Sequence, residues 1–409
     1  MKIKIVLAVV SAMVLSGCVG MQDSEGWRSS QKNEFLKILE TDKYMSICDQ
    51  QALYKQVKES ENSQLMSKLL VNYTKNLANG CIINPSQKEK IGTKTVIGYG
   101  TYPQKVSDAD IKMKLKAGQS IEQILKPYIP EYHQFTCLTK SYHRLKKITE
   151  TPESTLHKIR LNIERTKLMK PGLGKTYALV NVPDFMVRLI EEDKTAVKMR
   201  VVVGKKKQKT PIFSEDLSYI TLNPQWSVPD SIARNEVIPD LLKNPNYLTE
   251  NRMVMRESYD LNSKKLTPAS VNLKAYVGGK GYVPFKFIEV PSKRNGLGRV
   301  KFIFPNQHSV YMHDTQSKHL FKRKVRAYSH GCVRLSEPMA MLDHVSKNYT
   351  ATSEEDIKKK YDSLKTHYVK ITKRLPVHTA YLTAYVDDCN EVLVFNDIYG
   401  YDKTQKLNF

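Results

Sequence analysis

The 409-residue sequence is poor in cysteine, in acidic residues and in long hydrophobic runs. Its six cysteines are too few for a small disulfide scaffold, and none of them shows the CxxC spacing of a zinc ribbon. No stretch after the first twenty residues is apolar for long enough to cross a bilayer, and no internal repeat is present. The hydrophobic content of 41% can still bury the cores of two or three domains, which excludes an intrinsically disordered chain.

The shortage of acidic residues gives the chain a strongly basic character. There are 65 Lys and Arg residues against 41 Asp and Glu residues, so the formal net charge is +24. Such an excess predicts an anionic partner, which is a nucleic acid, a membrane surface or an acidic polymer. Charge alone does not choose among these partners.

The N-terminus favours an envelope partner. Residues 1–17 have the basic start and apolar run of a secretory signal, and residues 15–18 resemble the lipobox of bacterial lipoproteins, in which Cys18 is lipidated. The alternative, an uncleaved membrane anchor, needs an apolar run of about 20 residues, longer than this one. We therefore expect a lipid-anchored protein on the periplasmic face of the envelope, without a nucleic-acid partner. Val19 after the cysteine favours the outer membrane.

Hydrophobic periodicity predicts an α+β protein with helices in front and strands behind. We expect a tether over 18–30, a helical scaffold domain over 31–170, a β-rich domain over 171–402 and a tail over 403–409. Residues 81–107 carry the prolines and glycines of a loop. Predicted helices span 63–78, 108–125, 132–148, 154–169, 337–349 and 353–367. Predicted strands span 177–182, 185–190, 196–203, 299–304, 309–313, 377–386 and 391–395.

Two segments resemble ligand-binding motifs, one for phosphate and one for zinc, but each motif is incomplete. Residues 172–176 look like the end of a phosphate-binding loop, but Met169 stands where that motif needs its first glycine, so a turn is favoured. A second stretch is rich in imidazole and thiol groups, which bind zinc, but it has no HExxH or other regular ligand spacing. It comprises His308, His313, His319, His330 and Cys332. We therefore expect neither a metal nor another cofactor.

The same stretch fits a thiol–imidazole catalyst better. His313 ends a predicted strand, and Cys332 follows Gly331 on a turn that leads toward a helix, where partial positive charge favours a thiolate. His313 could serve as base toward the thiol and as acid toward a leaving amine. Backbone N–H groups near Gly331 could stabilise an oxyanion. The alternative is that Cys332 is only a small buried apolar residue.

A family resemblance favours the catalytic interpretation. Residues 309–335, SVYMHDTQSKHLFKRKVRAYSHGCVRL, resemble the signature of L,D-transpeptidases of the YkuD family, a histidine followed after a loop by Ser/Thr-His-Gly-Cys-x-Arg/Asn. The subtype looks like the large Gram-negative enzymes, with residues 123–147 similar to their helical scaffold and residues 230–290 to their capping segment. Residues 151–171 leave no room for the small wall-binding module of that subtype. Further matching segments are 179–183, 200–205, 223–229, 295–302 and 397–402.

The resemblance implies a role for each matching residue. Cys332 matches the nucleophile that attacks the stem peptide between its third residue, a diamino acid, and the following D-alanine. His313 matches the general base and acid, Asp314 the residue that orients the imidazole, often through its backbone carbonyl, and Gly331 the oxyanion region. The remaining matches imply substrate binding by Arg334, His330, Ser329 and Tyr311. For Arg334, a salt bridge that fixes the loop is an equal alternative.

The implied reaction is a 3→3 crosslink between peptidoglycan stem peptides through a cysteine acyl-enzyme. Water as acceptor would instead give an L,D-carboxypeptidase, and a protein amine a wall-anchoring enzyme. A protein of another class, a non-catalytic wall-binding lipoprotein, is disfavoured by the intact pair of His313 and Cys332. The sequence does not fix the acceptor, the third stem residue, the oligomeric state or an activating partner.

Three further features are left with alternatives. Residues 322–324 are basic and lie between His313 and Cys332, where they either attract anionic stem peptides or form a solvated face. Tyr282 or Phe285 either lines a substrate groove or belongs to the core. We expect Cys332 to be a free thiol. The other four cysteines allow two disulfides in three connectivities: Cys48, Cys81, Cys137 and Cys389.

Overall fold

The computed structural model describes residues 22–91, 94–172, 174–387 and 391–409. The predicted signal segment, Cys18 and Cys389 lie outside these ranges. The helices described are α1 Ser29–Glu40, α2 Gln51–Ser60, α3 Ser63–Asn79, α4 Asp108–Lys116, α5 Ile121–Leu125, α6 His133–Leu145, α7 Glu153–Lys167, α8 Asp230–Ile232, α9 Ile238–Lys243, α10 Tyr247–Glu250, α11 Pro338–Tyr349, α12 Glu354–Asp362 and α13 Tyr401–Thr404.

Three strands lie between α3 and α4, and the other strands follow α7 and are interleaved with the helices of the second half. They are β1 Ile82–Ile83, β2 Gln87–Ile91, β3 Lys94–Tyr99, β4 Tyr177–Asn181, β5 Met186–Glu191, β6 Lys194–Gly204, β7 Phe213–Asp216, β8 Tyr219–Leu222, β9 Trp226–Ser227, β10 Met253–Arg256, β11 Lys265–Leu266, β12 Lys286–Glu289, β13 Val300–Ile303, β14 Met312–His313, β15 Ala327–Ser329, β16 Val333–Leu335, β17 His367–Lys370, β18 Pro376–Ala380, β19 Ala384–Asp387, β20 Glu391–Val394 and β21 Lys406–Leu407. Helices followed by a β-rich region confirm the predicted α+β class.

One compact unit consists of the described part of Met1–Leu77 together with Lys105–Ile129. Its core is aromatic and aliphatic: Trp27 stacks on Phe35 with ring centroids 5.9 Å apart, and Phe35 meets Tyr73 edge to face. The indole N–H of Trp27 donates to the Ser67 hydroxyl at 2.9 Å, so its one polar atom is satisfied inside the core.

The predicted helix over 108–125 is two helices, α4 and α5. Gly118 interrupts the pattern with a φ of +78°, a left-handed conformation typical of a helix C-terminus. Ser120 then starts the next helix by accepting the Gln123 N–H in a capping box. The amphipathic pattern therefore continues across a break that only the glycine and the serine mark.

The other unit comprises Ala78–Gln104 and Pro130–Phe409. The helical domain predicted over 31–170 includes α6 and α7, which belong to the unit that holds the sheets. The loop predicted over 81–107 was wrong in its central part, because β2 and β3 form an antiparallel hairpin there. A hairpin needs only local pairing, so glycines and prolines at its ends did not reveal the strands between them.

The predicted strand over 377–386 was wrong as a single strand, because the structure divides it into β18 and β19. Between them, the Asn181 amide bonds both backbone groups of Leu382, and the Asn162 amide oxygen accepts the Thr383 N–H. These side chains satisfy the backbone groups that a strand partner would otherwise bond, which ends the ladder. β19 pairs with β20 instead.

The central sheet positions the candidate site. Its strand order is β17-β8-β13-β14-β16-β6-β5-β4-β18-β7, with β15 paired to β6 beside this path. Strand β14 pairs antiparallel with β13 and parallel with β16. The hydrophobic core on this central sheet includes the fully buried residues Val201, Phe302 and Val333, together with Leu342 of α11.

Residues 230–290 build a smaller structure with its own core. The sheet order is β11-β10-β12-β9, and Val237, Met255 and Phe287 are among the residues buried against it. A π-helical turn over Ala233–Val237 joins α8 to α9. Phe285 belongs to this core, whereas Tyr282 is 70% exposed, so only the tyrosine is accessible to a ligand.

None of the helices in the described ranges combines the length and the apolar character that crossing a bilayer requires.

Candidate active site

The neighbouring strands β13, β14 and β16 bring the chemistry-bearing residues together. Lys301 is paired with His313, and His313 is paired with Arg334, so three cationic or titratable side chains stand in one row across the sheet. Directly paired residues share a face of a sheet. Cys332 immediately precedes β16, and Tyr311 immediately precedes β14, which places these two side by side at the strand starts.

The nucleophile candidate lies on a tight turn that we call the cysteine turn, residues 329–332. The Ser329 hydroxyl donates to the Cys332 carbonyl at 2.5 Å and accepts the Gly331 N–H at 3.1 Å. Gly331 has a φ of +119°, which only glycine adopts without strain, and its carbonyl accepts from the Thr210 hydroxyl at 2.8 Å. The sequence therefore folds this turn through one serine and one glycine.

These contacts bear on two of the predicted site residues. Ser329, predicted to bind substrate, is buried, and its hydroxyl is used inside the turn. Gly331, predicted to lie in the oxyanion region, has its N–H engaged by Ser329. Among the hydrogen bonds of the described residues, none uses the backbone N–H of Cys332. That N–H is the donor of the turn that can meet an oxyanion.

Cys332 is a half-buried free thiol. Burial raises the pKa of this thiol above its ordinary value, while hydrogen bonds from Tyr311 and the cations Lys301 and Arg334 oppose that rise. The thiol form is therefore the resting form at neutral pH, and the surrounding positive charge favours the thiolate once a proton is removed.

His313 is suited to remove that proton. It is 4% exposed, and burial together with the Arg334 and Lys301 cations lowers its pKa to about 3. The imidazole is consequently neutral at pH 7 and has a lone pair that can accept a proton, but the lowered pKa also makes it a weaker base than an ordinary histidine.

The carboxylate of Asp314 is engaged by other groups. Its oxygens accept from the backbone N–H groups of Arg299 at 3.0 Å and Thr315 at 2.7 Å, and they pair with Lys318 at 2.6 Å. The backbone carbonyls of Asp314 and Leu297 partly oppose the fall of the His313 pKa. Any effect of Asp314 on the imidazole therefore falls to its backbone carbonyl.

Tyr311 completes the wall beside the thiol. Its carbonyl accepts the Val333 N–H at 3.0 Å, and its ring lies 5.5 Å from that of His313. The Lys301 ammonium stands over the ring at 3.7 Å from the centroid. Burial and the neighbouring Cys332 raise the pKa of Tyr311 well above its ordinary range, so its hydroxyl keeps its proton.

Arg334 and His330 occupy different surroundings. Arg334 is half-buried beside His313, its Nε has no hydrogen-bond partner among the described residues, and it forms none of their salt bridges. His330 points out of the site, with its Nε2 2.7 Å from Glu236 of the π-helical turn and 3.5 Å from Lys205. It thus connects the cysteine turn to the segment 230–290.

The other histidines of the stretch are dispersed. His308 packs on Phe213, with ring centroids 5.1 Å apart, and His319 is exposed on a short 3₁₀ helix. Within the described part of the chain, these histidines and Cys332 do not form a group of three possible metal ligands. The basic residues 322–324 are exposed.

Lys301, which lies in the row of paired residues, was not among the predicted site residues. The available signal was the predicted hairpin of 299–304 with 309–313, because a turn centred near residue 307 places Lys301 opposite His313. A lysine on a strand is normally assigned to the solvated face, so the residue type did not indicate that Lys301 lies in the site.

Two comparisons show which known proteins the catalytic region resembles. Residues 175–366 match the family model described as YkuD, the L,D-transpeptidase catalytic domain. A curated protein of Haemophilus influenzae named "Putative L,D-transpeptidase" is 28% identical over 261 residues, which cover 63% of this chain. The match covers 51% of that relative, so the chain spans about half the length of the curated relative it matches.

Solved structures of L,D-transpeptidases show a more distant similarity. An L,D-transpeptidase from Mycobacterium smegmatis is 14% identical with a TM-score of 0.23, and the match covers 50% of this chain and 59% of that one. L,D-transpeptidase 3 from Mycobacterium tuberculosis, solved with a faropenem-derived adduct, is 12% identical with a TM-score of 0.23 and coverages of 50% and 60%.

Proposed function

We propose that this protein forms 3→3 crosslinks between peptidoglycan stem peptides, and the match of residues 175–366 to the YkuD L,D-transpeptidase catalytic domain supports this proposal. The observation that carries the proposal is a free thiol, Cys332, on the turn that leads into β16, together with a buried neutral imidazole, His313, on the parallel strand β14 that pairs with β16. This is the combination that acyl transfer through a thioester needs.

The proposed reaction has two halves. In the first, the Cys332 proton passes to His313 and the sulfur attacks the carbonyl of the third stem residue. The tetrahedral oxyanion is stabilised by the Cys332 backbone N–H, and its collapse breaks the peptide bond. His313 returns the proton to the leaving nitrogen, so D-alanine departs as a neutral amine and a thioester remains.

In the second half, an acceptor amine resolves the thioester. The side-chain amine of a neighbouring stem attacks the same carbonyl, His313 takes its proton, and the sulfur leaves as a thiolate that is then reprotonated. The outcome is an amide between the third residues of two stems, with the enzyme unchanged. The acceptor determines the product, because water would release a tripeptide and a protein amine would anchor that protein to the wall.

Incubation with purified peptidoglycan tests this proposal. Wild type and Cys332→Ala are incubated with peptidoglycan, which is then digested with a muramidase and analysed by mass spectrometry. We expect 3→3 dimers and free D-alanine with the wild type only. Ser346→Ala, which alters a buried serine of α11, is the matched control and should retain the dimers.

The other products give different answers. Trimmed tripeptides without dimers would replace crosslinking by L,D-carboxypeptidase activity. Wild-type and Cys332→Ala products that are identical would contradict catalysis on stem peptides. If both proteins nevertheless pelleted with the peptidoglycan, a wall-binding lipoprotein without catalysis would be the better description.

We also propose that the full chain is anchored through lipid on Cys18, on the periplasmic face of the outer membrane. The support is the sequence of residues 15–18 and Val19. Metabolic labelling with a fatty acid in a bacterial host should mark the wild type and not Cys18→Ala. A density gradient should place the labelled protein with outer-membrane markers, and recovery with inner-membrane markers would contradict the sorting.

A further inference from the structure

Lys301 is unusual because it stands inside the site without a neutralising partner. It lies on β13, and its backbone pairs with Thr221 on one side and His313 on the other. Its side chain is only half exposed. Among the salt bridges of the described residues, none includes Lys301, so no carboxylate there shares its charge within 4.0 Å.

The position of its ammonium is defined by an aromatic ring. The Nζ atom lies 3.7 Å from the centre of the Tyr311 ring, in the range of a cation–π contact. Tyr311 is in turn held beside the cysteine turn, because its carbonyl accepts the N–H of Val333, the residue after Cys332. The contact therefore fixes the positive charge one side chain away from the sulfur.

The mutual effects of Lys301 and Cys332 on their pKa values agree with this arrangement. Burial lowers the pKa of Lys301, and the Cys332 sulfur is the charged neighbour that raises it again. In return, Lys301 is one of the cations that lower the pKa of the Cys332 thiol. The other titratable or charged groups that face the sulfur are Tyr311 on the start of β14 and Arg334 on β16.

We propose that Lys301 is a positioning residue of the reaction, whose ammonium stabilises the Cys332 thiolate and holds the Tyr311 ring against the cysteine turn. In the step it assists, the thiol proton moves to His313 and the electron pair stays on sulfur, while Lys301 keeps its own proton. The inference rests on the proposed thiol chemistry, but its test does not need peptidoglycan.

The test is the pH dependence of Cys332 alkylation by iodoacetamide, an uncharged reagent. In Lys301→Met, which retains the length and loses the charge, we expect the midpoint of the profile to rise by about one pH unit and the rate at pH 7 to fall about tenfold. Lys301→Arg should remain within about threefold of the wild-type rate, because it keeps the charge.

The matched control is Lys370→Met, which removes an exposed lysine from β17 at the edge of the same sheet. It should leave the profile unchanged. If the profiles of folded Lys301→Met and wild type superimposed, the inference would be overturned. Circular dichroism and thermal unfolding verify that each variant is folded.

A second measurement needs no substitution at Lys301. Since coupling between two sites is reciprocal, removing the thiolate must lower the pKa of Lys301. NMR titration of ¹³C-labelled lysine should therefore show that one lysine titrates at lower pH after Cys332 is capped with iodoacetamide. An unchanged titration would contradict the inference even if Lys301→Met failed to fold.

The outcomes separate this inference from the proposed function. A shifted alkylation profile in a protein that makes no crosslinks would leave Lys301 in its role and remove the proposed reaction. If the wild type made crosslinks but the alkylation profile of Lys301→Met were unshifted, the proposed reaction would stand and the role of Lys301 would be removed.

Discussion

At the scale of single residues, the site depends on a close approach that only glycine allows. A Cβ atom at Gly298 would lie 2.2 Å from the Asp314 carboxylate, the group that fixes the backbone after His313. Gly298 also has a φ of +67°, which other residues adopt at a cost of about 1 kcal/mol. Both the backbone and the packing therefore require glycine here.

We predict that Gly298→Ala destabilises the fold more than backbone strain alone explains. The clash with Asp314 should bring the loss in the free energy of unfolding, measured in urea, to about 3 kcal/mol. Gly400→Ala is the matched control, because Gly400 has a φ of +82° but nothing within 4 Å of its Cβ position. Equal losses for the two variants would show that the Asp314 contact is not the reason.

The lowered pKa of His313 leads to a separate prediction, which concerns the pH dependence of Cys332 alkylation. Because the imidazole pKa is about 3 and the thiol pKa is raised, Cys332 and His313 do not form a thiolate–imidazolium pair at neutral pH. The rate of Cys332 alkylation in the wild type should therefore rise about tenfold per pH unit between pH 6 and 8. A plateau with a midpoint near 6.5 would contradict this, since it would indicate a preformed ion pair.

At the scale of elements, the cysteine turn is held by one hydroxyl that makes two hydrogen bonds. We predict that Ser329→Ala lowers the free energy of unfolding by about 2 kcal/mol, because a buried N–H and a partly buried carbonyl lose their partner. It should also slow Cys332 alkylation relative to Ser346→Ala, a buried serine variant remote from the turn.

Two readouts are needed because stability alone would not distinguish the turn from any other buried serine. A Ser329→Ala protein with wild-type alkylation kinetics would show that the hydroxyl does not position the sulfur. A loss of stability no larger than that of Ser346→Ala would show that the two hydrogen bonds are replaced by other contacts.

The elements also show how far a single sequence leads. The helix over 63–78 was predictable because Leu69 and Tyr73 repeat at helical spacing, and α3 confirms it. Long-range partners were not predictable. The break between β18 and β19 depends on amides of Asn162 and Asn181, some 200 residues away, and local periodicity contains no trace of them.

The candidate site likewise has features that could be predicted from the sequence and features that could not. Cys332 and His313 could be proposed from the sequence because their motif is local and resembles a known signature. The engaged N–H of Gly331 and the place of Lys301 were not found, because a hydrogen bond within a turn and the register of paired strands are three-dimensional facts.

At the scale of the whole molecule, the charge of +24 and the sparse cysteines have different consequences. The exposed residues 322–324 account for part of the basic surface, whereas Lys301 and Arg334 are set into the site itself. The positive charge therefore has an inner part that acts on the thiol and an outer part open to an anionic polymer. Only the outer part should be screened strongly by salt.

The described cysteines are of two kinds, those in disulfides and one free thiol. Cys48, Cys81 and Cys137 are disulfide-bonded, and Cys332 is free. A free thiol in an oxidising compartment risks exchange with the disulfides, but exchange requires a thiolate. Burial that raises the pKa of Cys332 keeps the thiolate fraction small, so the bonded pattern should persist.

We therefore predict that alkylation of the denatured, unreduced protein labels Cys332 and none of the three bonded cysteines, as judged by peptide mass spectrometry. After reduction all four should be labelled, and the free energy of unfolding should fall by about 2–4 kcal/mol per disulfide. Cys332→Ala should lose the same amount on reduction, because its missing thiol belongs to no disulfide. Recovery of Cys332 in a disulfide-linked peptide would contradict both the free thiol and the mechanism built on it.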